Sequence, residues 1–187
     1  LDLLLLGPPG AGKGTQGVLI AERLGIPKFA TGDLLRDAVR LGTPLGLQAK
    51  AVMESGALVS DDIIMGVVGE ELRKPTAAGG VIFDGVVRTI PQAEGVAALL
   101  ATLGRRIDKV LFFDVTDEEI LSRIEKRRGI EGRADDDPVA VQRRLKAYRE
   151  QTAPVLDWYR GRGGVTTIPA VGTVQDIADR VKQAIGA

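Results

Sequence analysis

Cysteine and histidine are both missing from the 187 residues of this chain. The first absence excludes disulfides and thiolate metal sites. The second excludes imidazole acid–base chemistry and histidine-bound zinc. Asparagine is absent as well, and serine occurs only at Ser55, Ser60 and Ser122. Aromatic residues make up 4% of the chain, so the core must be aliphatic, and the 44% hydrophobic content is enough to build one. Neither sign of charge dominates: 25 Lys and Arg balance 25 Asp and Glu. Neutrality gives no electrostatic case for a nucleic-acid or membrane partner. No apolar run reaches bilayer-spanning length, and Leu1–Leu6 is too short, and lacks the basic flank, for a secretory signal. The length favours one domain, and a cytoplasmic protein is expected.

Glycine is plentiful, and one group of glycines carries chemistry. Gly7-Pro8-Pro9-Gly10-Ala11-Gly12-Lys13-Gly14-Thr15 follows the apolar run Leu3–Leu6 and opens a helically periodic segment. This is the strand–loop–helix order of a phosphate-binding loop. Polyphosphate crowds the concave turn, so side chains must be absent where oxygens approach the backbone. Backbone N–H groups then form an anion nest at a helix N-terminus. Lys13 supplies a point charge for the β- and γ-phosphates. The hydroxyl needed for Mg²⁺ comes from Thr15, one residue later than in the strict pattern, because position 14 is Gly. An ordinary strand-to-helix turn with a surface lysine would not need this density of small residues.

Short apolar runs alternate with amphipathic stretches. Strands are expected at 1–6, 27–30, 81–84, 109–115 and 165–168. Helices are expected at 13–24, 32–41, 44–54, 61–73, 91–103, 117–128, 138–160 and 174–185. The alternation predicts an α/β fold: a doubly wound parallel five-stranded sheet of the P-loop NTPase type, with helices on both faces. Ligands in such sheets bind at the carboxyl ends of the strands. Residues 31–60 and 127–138 interrupt the rhythm as excursions from the sheet.

A carboxylate ending an apolar strand is the usual counterpart of the loop, because it orients Mg²⁺ through water. Asp84 and Asp114 both qualify. Asp84 is preferred, since Gly85 and Arg88 follow it, and Asp114 reads as a strand-end or helix-start cap. Arg36, Arg88, Arg123, Arg127, Arg133 and Arg144 fall in the loops and helices around these strand ends. Guanidinium forks match phosphate oxygens, and such a set suggests two phosphorylated ligands in one site.

At this point the chain resembles the adenylate kinase family of nucleoside monophosphate kinases, in its short-lid bacterial form. The likeness rests on GPPGAGKGTQ (7–16), TGDLLR (31–36), LVSDD (58–62), FDGVVRTIPQAE (83–94), RIEKRR (123–128), GRADDDP (132–138) and YREQTAPVLDWY (148–159). The resemblance implies a core of 1–29, 60–126 and 139–187, an AMP-binding lobe at 30–59 and a lid at 127–138. It implies reversible transfer of the terminal phosphoryl group of ATP to AMP, giving two ADP. It places ATP on Gly10, Ala11, Gly12, Lys13, Gly14 and Thr15, with Arg123, Arg127 and the backbone of Gly172. It places AMP on Thr31, Arg36, Ala57, Leu58, Val59, Gly85, Val86, Val87, Arg88 and Gln92, with Gln92 reading the adenine edge. Lys13, Arg88, Arg123, Arg133 and Arg144 become the transfer residues. Asp84, with Asp33 beside it, orients Mg²⁺ through water. Asp135 and Asp136 either pair with cations on closure or charge a helix N-terminus. Longer lids in the family hold zinc, but this lid is short and lacks Cys and His, so no zinc is expected. A monomer acting on small nucleotides is the implied assembly.

One departure stands out. The family has an aromatic residue and a proline between Asp-Gly and Arg, where this chain has Val86-Val87. The proline commonly follows a cis bond, which costs a Val-Val pair about 2.5–4 kcal/mol, so a trans peptide and weaker AMP binding are expected. Three other readings stay open here: a pyrimidine monophosphate acceptor, a catalytically impaired nucleotide-binding relative, and a P-loop hydrolase switch.

Overall fold

The computed structural model describes residues 1–55, 57–131 and 137–186. Its frame is a parallel sheet of β1 (Asp2–Leu6), β2 (Lys28–Phe29), β3 (Val81–Asp84), β4 (Lys109–Asp114) and β5 (Val165–Pro169), in the order β2-β3-β1-β4-β5. β1 is central, pairing Leu4 with Phe83 of β3 on one side and with Val110 of β4 on the other. The chain leaves β1 where its neighbours come from different directions in the strand order. That switch point opens a crevice at the carboxyl edge.

β1 reads as unbroken leucine because both of its faces are covered. Leu4 and Leu6 join Phe29, Val81, Phe83 and Val110 in one core layer, while Leu3 and Leu5 join Ile82, Leu111 and Phe113 in the other. The second layer is closed by α1 (Lys13–Leu24) and α9 (Val174–Ile185). The first is closed by α2 (Thr31–Leu41), α4 (Asp61–Leu72), α5 (Ile90–Thr102) and α8 (Ala153–Arg160), with α3 (Pro44–Glu54) also packing there through Ala49. A small third cluster joins Ile120 and Ile124 of α6 (Asp117–Glu131) to Val141 and Leu145 of α7 (Pro138–Ala147). The charge buried at the opposite edge of the sheet is paired: Asp2 receives the Arg105 guanidinium at 2.9 and 2.5 Å. That bond and the neighbouring carboxylates hold the Arg105 pKa above its usual value.

The expected strands and helices are present, with two informative differences. Arg127–Glu131, read as the start of an excursion, continue α6. The helix expected over 138–160 is divided by a π-turn at Tyr148–Thr152. Pro154 gives the reason. It has no N–H for an α-helical bond, and its ring would collide with a carbonyl one turn earlier. A wider turn ahead of it relieves the clash.

Candidate nucleotide site

The loop after β1 is built as its glycines require. Gly12 is the residue before α1 and lies in the left-handed region at φ 88°. Nothing lies within 4 Å of the place a Cβ would occupy there. Lys13 folds back over the loop and donates to the carbonyls of Gly7 at 2.8 Å and Pro8 at 2.9 Å. Its pKa is pulled from 10.5 to about 8, chiefly by burial. Asp84 opposes that shift, and Arg88 and Arg144 reinforce it.

Asp84 ends β3 over the start of α1, its Oδ2 3.9 Å from where a Cβ on Gly14 would lie. Lys28 of β2 holds the same oxygen at 3.4 Å. Sequence reasoning missed Lys28, because only strand pairing brings it there. The donors near the loop, the Asp84 carboxylate and the Thr15 hydroxyl, are hard oxygens. They suit Mg²⁺, which keeps most of its waters and arrives with phosphate. Among the described residues no group of three or more His, Cys, Asp or Glu is placed to hold a metal. Asp33 makes its contact with Arg36, at 2.5 Å on the exposed face of α2. Asp114 is exposed at the end of β4.

Beside the loop lies a cavity of about 300 Å³ lined by Gly10, Gly12, Thr15, Gln16, Arg123, Ile124, Arg127, Gly172, Val174 and Ile177. The sequence reading named six of these. Arg123 is fixed by Glu119 at 2.8 Å and by the carbonyl of Ala170, with a longer contact to that of Ala11 at 3.5 Å. Gly172 sits at φ 98°, and a Cβ there would lie 2.8 Å from Asp176 Oδ2. That carboxylate completes the capping box of α9 with Thr173. Ile124, Val174 and Ile177 give the cavity an apolar wall suited to a base. The sequence signal for them was helical spacing, which does not distinguish a cavity wall from core. Gln16 is buried, with Nε2 donating to the carbonyl of Val174 at 3.1 Å.

On the far side of Asp84 lies the second group of expected residues. Val86 and Val87 are buried in the core, and no described peptide bond is cis. Arg88 Nε donates to the Gly85 carbonyl at 3.0 Å, and Thr31 Oγ1 reaches the same oxygen at 3.4 Å. The Arg88 N–H donates to Gln92 Oε1 at 2.8 Å. Val59 packs against the core, Ala57 is exposed, and Leu58 is 96% exposed. Arg133, Asp135 and Asp136 lie outside the described residues.

A parallel sheet with a glycine loop at the end of its central strand, a half-buried lysine folded across that loop and a carboxylate beside it define a P-loop nucleotide-binding protein. Comparison with known proteins narrows the class. A family model described as adenylate kinase matches residues 5–164. A protein named adenylate kinase from Stenotrophomonas maltophilia strain K279a is 47% identical over 187 residues, covering all of both chains. Those from Gemmatimonas aurantiaca (46% over 209 residues, 98% of each chain) and Trichlorobacter lovleyi (41% over 212 residues, 99% of each) are similarly alike. The chain belongs to the adenylate kinase family. It is a phosphotransferase that moves the terminal phosphoryl group of ATP to AMP, and nothing in these likenesses favours a pyrimidine acceptor, an impaired relative or a hydrolase.

Proposed function

We propose that transfer is direct and in line, with the ATP base in the 300 Å³ cavity and AMP against Gly85–Gln92. The acceptor phosphate is already an anion, so no general base is needed. The protein's task is to align two polyanions and neutralise charge as it moves. The observation that carries this reading is the meeting of the two halves at Asp84: its Oδ2 lies 3.9 Å from the Cβ position on Gly14 of the loop that Lys13 closes, and Arg88 folds onto Gly85 in the turn that follows it. Arg123 and Arg127, on the cavity wall, serve ATP. Arg88 takes the AMP phosphate, Arg144 and Arg133 the charge in transit, and Thr31, Arg36 and 57–59 the rest of AMP. Asp84 and Thr15 are the residues that would hold Mg²⁺, which would supply positive charge to the phosphates of ATP. Lys28 neutralises Asp84 otherwise.

The division into core, 30–59 lobe and 127–138 lid belongs to the same proposal, as do a monomeric state and a cytoplasmic location. Among the described residues no helix is long and apolar enough to cross a membrane. The test is a coupled assay of ADP formation from Mg·ATP with AMP, UMP, CMP or GMP as acceptor. AMP is expected to be used far better than the others, and preference for another base would overturn the acceptor assignment. A mimic joining two adenosines through five phosphates should bind across Lys13 and Arg88. A bound mimic lying elsewhere would overturn the placement.

A further inference from the structure

The Gln92 side chain is held at both ends of its amide. Oε1 accepts from the Arg88 N–H at 2.8 Å, and Nε2 donates to Asp61 Oδ1, on the first turn of α4, at 2.9 Å. These partners are not interchangeable. A backbone N–H only donates, and a carboxylate only accepts. Turning the amide over would set oxygen against oxygen and N–H against N–H, so the structure admits one orientation. In that orientation one N–H of Nε2 and one lone pair of Oε1 remain unused.

Adenine presents an amino donor at C6 beside an acceptor at N1. A purine with a C6 carbonyl and a protonated N1 presents the reverse. A free glutamine amide reads both by turning over, whereas one held as Gln92 is held reads adenine alone. The Arg88 peptide that sets one end is itself anchored, since Thr152 Oγ1 in the π-turn donates to the Arg88 carbonyl at 2.9 Å. Thr89-Ile90-Pro91-Gln92 also has the sequence of a helix-capping box, and Thr89 does cap Gln92 N at 3.3 Å. The reciprocal half of a capping box would take Oε1 to the Thr89 N–H, whereas here it accepts from the Arg88 N–H one residue earlier. Nor does capping account for a carboxylate from another helix on Nε2.

We propose that Asp61 and Thr152 are positioning residues that lock the Gln92 amide in the adenine-reading orientation and so set acceptor-base specificity. This rests on the assignment of AMP to Gly85–Gln92. The experiment compares AMP with IMP, which differs only in carrying the carbonyl and protonated N1. The wild-type ratio of kcat/KM for AMP over IMP is measured first. Asp61→Ala is expected to lower that ratio about tenfold, roughly the worth of one net hydrogen bond to a charged group, with the KM for ATP unchanged. Asp61→Asn keeps an acceptor but can turn over itself, so its ratio should fall between. Thr152→Val should lower the ratio by a smaller factor, and Thr152→Ser, which keeps the hydroxyl, should restore it. Should Asp61→Ala lower AMP and IMP turnover equally, or leave the ratio within twofold, the proposal is overturned while the acceptor site stands. Should the wild type fail to prefer AMP over IMP, the acceptor assignment falls and takes the proposal with it.

Discussion

The two halves of the cleft are built from different materials. On the donor side, backbone does most of the work: Gly12 opens the loop, Lys13 is tied to two loop carbonyls, and Gly172 lets the chain pass beside the α9 cap. On the side assigned to AMP, side chains from separate elements hold a single peptide: Asp61 of α4 holds Gln92 of α5, and Gln92 and Thr152 of the π-turn hold the backbone of Arg88 in the turn after β3. A backbone site depends on a short run of residues. A side-chain site depends on several elements arriving in register. Damage should therefore be abrupt on the donor side and graded on the acceptor side.

The largest effect is expected at the charge the two halves share. Lys13→Met should reduce kcat by about a thousandfold, the upper end of what one preorganised electrostatic partner supplies, and Arg88→Ala by about a hundredfold. Circular dichroism should show both folded, and near-normal turnover in either would refute the roles given to them. Next comes Gly172→Ala. The left-handed φ and the clash with Asp176 should raise the KM for ATP about five- to tenfold, as such strain commonly costs, and leave the KM for AMP unchanged. Equal change in both constants would erase the division between the halves.

A smaller effect concerns stability. The native Lys13 pKa of about 8 lies below the unfolded value of 10.5. Between those pH values the unfolded chain holds a proton that the native chain has released, so unfolding free energy rises with pH. Below pH 8 both states are charged and the cost of burying the ammonium is complete. Urea titrations at pH 8, 9 and 10 should show this slope in the wild type and lose it in Lys13→Met. The smallest effect is expected from Val87→Pro, which restores the residue usual in the family. The KM for AMP should fall by about twofold, a few tenths of a kcal/mol and typical of backbone stiffening. A KM that stays the same or rises would show that the Arg88 turn is already held firmly by its hydrogen bonds.

The same contrast explains what could be read before the structure was seen. Gly10–Thr15 is contiguous, and each residue type has a local physical reason, so the loop and its place after β1 were legible. So were the paired faces of β1, from its unbroken leucines. The clamp on Gln92 was not, because Asp61 reads locally as a first-turn helix acid and Thr152 as one polar residue in a long helix. Lys28 was missed for the same reason, since its partner lies 56 positions away. The break in the 138–160 helix did have a signal. Pro154 stands inside the pattern, and its missing N–H had to be accommodated somewhere.

The π-turn acts as an angular correction in a rod. Arg144 and Thr152 are eight residues apart, which in an unbroken α-helix leaves them about 80° out of alignment around the axis. Five residues wound more loosely take up most of that angle. The rod can then present Arg144 and Thr152 from one side, Thr152 donating to the Arg88 carbonyl. On the proposed assignment of Arg144 to the charge in transit and of the Arg88 turn to AMP, a single strut sets the spacing between the two, and removing one residue from the loose turn should rotate one end of it away.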